Sequence, residues 1–271
     1  MRGSRLTRRT LLRIASGAIV ATVTEFHGVR AAASRIRRTT WLVEGPFPRA
    51  GQLLTPIYPL PYPFTSVEVS WQASVPQGSL LTIALRLAGQ DGSWSDWITL
   101  DSDPHTPPRQ DDGWVYAPPV LARGQQVQLL VQCEPGPDGA APQLRALRVT
   151  AVETFETDTH WLATPELIDG WIVPRAGWGA DESLRFDENG EEIWPPRYAP
   201  IQKVIVHHTV TKNDPPDPAA TIRAIYAYHA VTLGWGDIGY NFIVDWQGRA
   251  YEGRYGGPNV VGAHTAGYNT G

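Results

Sequence analysis

Cysteine is scarce in this sequence of 271 residues, with Cys133 as the one example. A single cysteine excludes an internal disulfide framework. In the stretch VQLLVQC, Cys133 falls on the same strand face as Val127, Leu129 and Val131. The pattern therefore predicts a small buried core residue and gives no support to a catalytic thiol.

Lysine is also scarce, with 2 residues against 21 arginines. Residues 1–33 contain six of those arginines and one glutamate, so the remaining chain carries 17 basic and 26 acidic side chains, a net charge of −9. This balance excludes nucleic acid as the expected partner, because nucleic-acid binding needs clustered positive charge. The acidic balance alone names no other partner.

The N-terminal stretch contains no hydrophobic run long enough to span a bilayer comfortably, since the moderately apolar LLRIASGAIVATV covers only 11–23. The pair Arg8-Arg9 precedes it, and three alanines at 31–33 offer a small-residue cleavage site. The stretch resembles a twin-arginine export signal. It predicts a signal peptide over 1–33, export to the cell wall or beyond, and no stable membrane anchor. A basic N-terminal membrane anchor is the alternative.

Residues 34–155 have the pattern of an all-β domain. Alternating or β-rich runs are separated by turn sequences such as GQDGS and EPGPDGAAP. We expect strands at 66–72, 79–88, 94–100, 126–133 and 144–153, which indicate a β-sandwich. The domain resembles the jelly-roll modules that precede cell-wall hydrolases. Trp94, Trp97 and Trp114 are candidates either for a glycan-binding surface, since flat rings stack on sugars, or for the core.

A different pattern follows a predicted linker over 156–170. KVIVHHTV (203–210) is β-branched and predicts a strand, and YNFIVDWQGRAYEGR (240–254) predicts a hairpin that turns at 245–248. With a helix between them, these elements predict an α/β domain over 171–271 with a mixed central sheet.

The predicted helix lies in DPAATIRAIYAYH (217–229). Asp217 is a suitable N-cap, and Pro218 is suited to the first helical position. One face of the helix carries Ile222, Ile225, Tyr226 and His229, at helical spacing.

The adjacent His207 and His208 lie inside the predicted strand, where successive side chains point to opposite faces. They are therefore not expected to serve one site together. His208 shares its face with Val204, Val206 and Val210, while the face of His207 is more mixed. His207 is the better candidate for chemistry, and the alternative is that both are core histidines.

Four blocks of the sequence carry a resemblance to a known family. They are IVPRAGWGADESL (172–184), VIVHHT (204–209), YHAVTLGWGDIGYNFIVDWQGRAYEGR (228–254) and GAHTAGYNTG (262–271). In order and spacing they resemble the type 2 N-acetylmuramoyl-L-alanine amidases, a family that includes the peptidoglycan recognition proteins. The resemblance covers about 171–271.

The resemblance implies roles for particular residues. The family binds Zn²⁺ with two histidines and a cysteine or aspartate, and the first of these positions matches His207. Tyr240 matches the catalytic tyrosine, whose hydroxyl stabilises an oxyanion. Four residues match positions lining the substrate groove: His229, Trp235, Arg254 and His264.

The resemblance places the second and third zinc ligands in a later segment, so we expect them beyond residue 271. A zinc site needs about three protein ligands. The segment 171–271 therefore corresponds to the N-terminal part of the family's domain, and the chain as given is expected to be inactive alone.

The resulting hypothesis is a peptidoglycan amidase that, in its full-length form, cleaves between N-acetylmuramic acid and L-alanine with the help of zinc. One alternative is a recognition protein that binds the muramyl peptide without cleaving it. Another is a glycan-binding wall protein that uses the β-domain and carries an amidase remnant.

The export signal generates a first test. Replacing both Arg8 and Arg9 by lysine is expected to stop export through a twin-arginine route, because that route requires the arginine pair itself. The matched control replaces Arg2 and Arg5 by lysine and should be exported normally. The measurement is the fraction of protein outside the cytoplasm by immunoblot. Undiminished export of the Arg8/Arg9 variant would refute the signal.

Overall fold

The computed structural model describes residues 36–102, 113–154, 171–263 and 269, together with the backbone of 11–12 and 20–26. The chain divides into two compact units, one mainly from 38–118 and 122–151 and the other mainly from 152–271. Among the described residues, no helix is both long and apolar enough to cross a membrane.

The first unit is dominated by one large antiparallel sheet. Its described strands run in the order β1-β2-β3-β10-β5-β9-β6-β7, with β4 paired to β9 and β8 paired to β5. Four of the five strands expected from sequence are confirmed in β5, β6, β9 and β10, whereas the expected strand at 94–100 forms only at 98–100, as β7. The bounds are β1 (Leu11–Leu12), β2 (Val20–Phe26), β3 (Ile36–Glu44), β4 (Gly51–Leu54), β5 (Tyr58–Ser74), β6 (Leu80–Ala88), β7 (Ile98–Leu100), β8 (Val115–Tyr116), β9 (Val120–Glu134) and β10 (Gln143–Thr154).

Alternation of side chains explains how this sheet builds a core. On β9, Val127, Leu129, Val131 and Cys133 are all at most 1% exposed. In the register with β6, Leu129 lies opposite Leu85 and Val131 opposite Ile83. The prediction that Cys133 is a core residue is confirmed, and burial raises the pKa of its thiol, which disfavours the reactive thiolate.

The ten described strands join one hydrogen-bonded network, and the jelly-roll arrangement of two packed sheets stays a prediction. Trp114 is buried, as the core alternative predicts. Trp97 is 38% exposed, and the Arg86 guanidinium lies 4.9 Å from its ring centroid. The three tryptophans therefore do not share one environment.

Residues 20–26 fall within the predicted signal peptide, yet they form β2 and pair antiparallel with β3. The stretch VATVTEF is rich in β-branched residues, which suit a strand. Arg8-Arg9 and the linker 156–170 lie outside the described residues. The signal peptide and the linker stay predictions.

The second unit contains a three-stranded sheet of β11 (Ile172–Val173), β12 (Phe242–Val244) and β13 (Ala250–Glu252). β13 lies in the middle, parallel to β11 and antiparallel to β12. The predicted hairpin is confirmed, and its turn is closed by the Asp245 amide donating to the Arg249 carbonyl at 3.0 Å.

Helical segments cover this sheet. They are α1 (Arg175–Trp178), a 3-10 turn (Glu182–Arg185), α2 (Pro218–Ala227) and a π-helical turn (Tyr228–Thr232). The predicted helix is confirmed as α2, since the Asp217 side chain caps it by accepting from the Ala220 amide and Pro218 occupies its first position.

The predicted face of α2 is buried. Ile222, Ile225 and Tyr226 are at most 3% exposed. Tyr226 meets Trp178 edge-on, with ring centroids 5.7 Å apart, and Trp178 donates from Nε1 to the Glu252 carbonyl at 2.7 Å. These contacts hold α1, α2 and β13 in one core.

The expectation of a strand over 203–210 is wrong. Residues 201–209 form neither strand nor helix, and Val204 and Val206 are 83% and 90% exposed. A strand is held by a hydrogen-bonded neighbour, and no described strand pairs with this segment. The β-branched composition therefore reflects a local preference for extended backbone. Among the described residues, no neighbouring strand pairs with the segment and turns that preference into a strand.

The helix cap generates the second test. Asp217→Ala is expected to lower the free energy of unfolding by about 1 kcal/mol, because the Ala220 amide loses its acceptor. Asp214→Ala, at an exposed position in the same loop, should change it by less than about 0.5 kcal/mol. Urea denaturation followed by circular dichroism measures both. Equal losses in the two variants would contradict the capping role.

Candidate functional site

The loop before Tyr240 is organised by a buried carboxylate, Asp237. Its side chain is 3% exposed and forms ion pairs with Arg175 at 3.0 Å and Arg254 at 3.6 Å. It also accepts from the backbone amides of Ile238 at 2.8 Å and Tyr255 at 2.9 Å. These bonds fix the backbone immediately before Tyr240.

Two imidazole rings contact Tyr240, and an indole stacks against one of them. The ring centroids of His207 and His229 lie 5.2 and 5.1 Å from that of Tyr240, both edge-on. Trp235 stacks against His229 with a centroid distance of 4.8 Å and a tilt of 34°. The structure therefore brings together four of the six residues predicted for the site: His207, His229, Trp235 and Tyr240.

The backbone around Tyr240 permits little change. A side chain at Gly253 would place its Cβ 2.1 Å from the Tyr240 carbonyl oxygen. The amides of Gly253 and Arg254 donate to the carbonyls of Asn241 and Tyr240 at 2.9 and 2.7 Å. Glycine at 253 therefore lets the EGR segment lie directly against Tyr240.

His207 and His208 have different environments, but the predicted alternation of strand faces is not the reason, because their segment is not a strand and the valines expected to share the face of His208 are exposed. His207 is half-buried and contacts Tyr240, whereas His208 is exposed. Nδ1 of His207 lies 2.7 Å from the His208 carbonyl oxygen. Since a carbonyl accepts, Nδ1 carries a proton, and in the neutral ring Nε2 then carries a lone pair.

His229 has the opposite tautomer. The Gly239 amide donates to its Nδ1 at 3.1 Å, so Nδ1 is unprotonated and the neutral ring carries its proton on Nε2. The cluster around Tyr240 therefore contains one imidazole Nε2 that accepts and one that donates. Amide groups, which have a donor N–H and an acceptor C=O, complement such a pair.

Arg254 is enclosed, in contrast to the groove position that the resemblance implies. The residue is 1% exposed, and its guanidinium donates to the carbonyls of Val261 and Trp194, each at 3.0 Å. Burial lowers the pKa of Arg254 to about 10 against the opposing effect of Asp237, so it stays charged at neutral pH. This geometry favours a structural role, and substrate contact by Arg254 stays a prediction.

Trp194 joins the cluster and was missed by the sequence reasoning. Its ring lies 6.5 Å from that of Trp235, at an interplanar angle of 71°, and it is partly exposed. The tryptophan of a Trp-Pro-Pro sequence in a loop was the available signal. His264, the remaining predicted substrate contact, lies outside the described residues.

The described side chains do not offer a complete set of zinc ligands. Among the described residues, no three histidine, cysteine, aspartate or glutamate side chains are grouped closely enough to hold a metal ion. The Nδ1–H of His207 bonded to a carbonyl is the arrangement that orients a ligating imidazole. One suitable imidazole does not make a zinc site, so the described residues do not fit the metal by themselves.

The chain is similar to known proteins over part of its length. No family model matches it. It is 35% identical over 155 residues to the human protein named N-acetylmuramoyl-L-alanine amidase, covering 56% of this chain and 23% of that one. It is 43% identical over 101 residues to peptidoglycan-recognition protein SC1a/b of Drosophila simulans, covering 36% of this chain and 49% of that one.

A solved structure of bumblebee PGRP-SA is 36% identical, covers 39% of this chain and 56% of its own, and gives a TM-score of 0.29. The chain thus spans between about a quarter and about half of the length of these relatives. The sequence similarities support a relationship of this chain to the N-acetylmuramoyl-L-alanine amidases and peptidoglycan-recognition proteins.

Proposed function

We propose that this chain binds the muramyl peptide of peptidoglycan through the ring cluster of the second unit. The observation that carries the proposal is the ring cluster in which His207 and His229 contact Tyr240 and Trp235 stacks on His229. Relatives named for peptidoglycan recognition and for N-acetylmuramoyl-L-alanine hydrolysis support the choice of ligand.

The chemistry of the cluster suits a ligand that is part sugar and part peptide. The Nε2–H of His229 donates to a peptide carbonyl, and the Nε2 lone pair of His207 accepts from a peptide N–H. Tyr240, half-buried beside both rings, adds a hydroxyl that either donates or accepts. The partly exposed Trp235 offers apolar ring surface.

The buried charged residues of the second unit have a structural function. Arg175, Arg254 and Asp237 are buried and engaged with each other, so their bonds hold the loop in place. The proposal therefore assigns the affinity for the muramyl peptide to the hydrogen-bonding groups and rings of the cluster.

The second candidate function is hydrolysis of the N-acetylmuramoyl–L-alanine amide. The tautomer of His207, which places the lone pair on Nε2, favours it together with the amidase-named relatives. In such a reaction the Tyr240 hydroxyl would donate a hydrogen bond to the oxygen that gains charge when the carbonyl is attacked. The metal would need ligands beyond the described residues, as proposed from the resemblance.

Two further proposals concern the rest of the chain. Peptidoglycan lies outside the cytoplasmic membrane, which agrees with the predicted export signal. The first unit contributes glycan binding through Trp97, whose 38% exposure suits stacking on a sugar. Trp114 is excluded from that surface by its burial.

Binding of the muramyl peptide is tested with the adjacent histidines as a matched pair. His207→Ala is expected to weaken binding of an N-acetylmuramyl tripeptide about fivefold, the effect of losing one hydrogen bond of about 1 kcal/mol. His208→Ala should change it less than about twofold, since His208 is exposed. Isothermal titration calorimetry on the whole chain measures both.

If the unsubstituted chain does not bind the tripeptide, the proposed function is wrong. If the two histidine variants lose affinity equally, the chain binds it but the placement of the site is wrong.

Zinc dependence is tested separately by metal content and peptide release. The chain as given is expected to hold far less than one zinc per molecule and to release no stem peptide from purified peptidoglycan, because the described residues group no three ligands. In a longer form that supplies two more ligands, Tyr240→Phe should keep zinc and lose about 10²–10³ in kcat.

His207→Ala in that longer form should lose both zinc and activity. A chain of 1–271 that already holds stoichiometric zinc and cleaves would overturn the assignment of His207 as the first of three ligands and point to His229 or His264.

A further inference from the structure

Trp194 extends the ring cluster beyond the residues that the resemblance implies. Its indole meets Trp235 at 6.5 Å, Trp235 stacks on His229 at 4.8 Å, and His229 meets Tyr240 at 5.1 Å. The four rings form a continuous series with Trp194 at one end. Trp194 and Trp235 are both partly exposed, so this end of the series offers aromatic surface to a ligand.

The segment that carries Trp194 is anchored on both sides. The Ile193 amide donates to the Arg185 carbonyl at 2.8 Å, and the Val261 amide donates to the Arg197 carbonyl at 2.7 Å. Gly236, at φ +78°, lies so close that a Cβ there would come within 2.6 Å of the Cβ of Ile193. The loop is therefore held against the turn that contains Trp235.

Arg254 fixes the indole of Trp194 itself. The guanidinium carbon lies 3.1 Å from the ring centroid, and Nη2 donates to the Trp194 carbonyl at 3.0 Å. Because Arg254 is also paired with Asp237, its position is set from inside the core. One face of the indole is thereby covered, so a ligand can stack only on the opposite face.

We infer that Trp194 is a saccharide-stacking residue of this site and that Arg254 is the residue that positions it, an inference that rests on the proposed peptidoglycan binding. The pyranose ring presents a face of C–H groups, and a fixed, flat indole matches that face at little cost in side-chain entropy. Arg254 acts through Trp194 and does not touch the sugar.

The division of the cluster follows from its chemistry. The end at Tyr240 holds the complementary imidazoles of His207 and His229, which suit peptide amides. The end at Trp194 and Trp235 holds two indoles whose centroids are 6.5 Å apart, which suit a sugar ring. A muramyl peptide contains both parts joined by an amide.

The test uses three probes with the whole chain: an N-acetylmuramyl tripeptide, the same tripeptide without the sugar, and an N-acetylglucosamine tetrasaccharide. Trp194→Ala is expected to weaken the muramyl tripeptide and the tetrasaccharide about tenfold, the usual loss for a large aromatic anchor. Binding of the tripeptide alone should stay unchanged. Trp194→Phe should recover most of the sugar-dependent affinity, because it restores a flat ring.

Arg254→Lys tests the positioning role. Lysine keeps the charge opposite Asp237 but lacks the planar group that covers the indole, so sugar-dependent affinity should fall while affinity for the tripeptide alone stays the same. Circular dichroism checks that the variant is folded. Should it not fold, the two Trp194 variants still decide the stacking role.

Trp246→Ala is the matched control, since Trp246 is an exposed tryptophan of the same unit that bonds the Pro215 carbonyl at the hairpin turn. It should bind all three probes normally. The inference is overturned if the unsubstituted chain binds the muramyl tripeptide and Trp194→Ala binds it equally well, or if Trp194→Ala weakens the peptide probe as much as the sugar probes. Failure of the unsubstituted chain to bind the muramyl tripeptide would instead refute the proposed function.

Discussion

The second unit depends on one buried carboxylate, that of Asp237. A lone carboxylate at 3% exposure is costly, and the cost is offset here by two guanidinium groups and two backbone amides. Asp237 in turn compensates the burial of Arg175 and Arg254, since each buried guanidinium group needs a negatively charged partner. Burial lowers the pKa of Arg175, but its hydrogen bond to Glu182 and the charge of Asp237 outweigh that effect and raise it. Removing one partner would leave the others buried without compensation, which typically costs about 3–5 kcal/mol.

This interaction gives a physical reason for two of the four sequence blocks to occur together. The block at 172–184 supplies Arg175, and the block at 228–254 supplies both Asp237 and Arg254. Arg175 additionally donates to the Gly253 carbonyl, so the two blocks are tied through backbone as well as charge. The ring cluster is then a consequence: Asp237 fixes the turn before Tyr240, and Arg254 fixes Trp194.

The elements that were predicted correctly are those that neighbouring residues determine. The cap and proline at Asp217-Pro218, the turn at 245–248 and the alternating face of β9 each depend on neighbouring residues, and the structure has all three. The prediction of a strand over 203–210 was wrong because a strand needs a paired neighbour, and the segment's own sequence does not contain one. Trp194 was missed for a related reason. Its role follows from Arg254, 60 positions away, and such a contact leaves no periodic pattern in the sequence.

The two sides of the cluster differ in how firmly they are held. Tyr240, His229 and the indoles rest on the buried ion network and on the core, whereas His207 belongs to an exposed segment of irregular backbone. The last residue of that segment, Val210, has φ +56°, a conformation that costs a β-branched residue of the order of 1–3 kcal/mol. Val204 and Val206 on either side of Ile205 are exposed, so neither contributes a buried apolar contact that would hold His207 in place. The tautomers of His207 and His229 are each set by one hydrogen bond of that ring. A small movement of the segment therefore leaves one imidazole Nε2 as acceptor and the other as donor. The distance between the two imidazoles changes with such a movement, so under the proposed function the geometry offered to a peptide amide depends on the 201–210 segment.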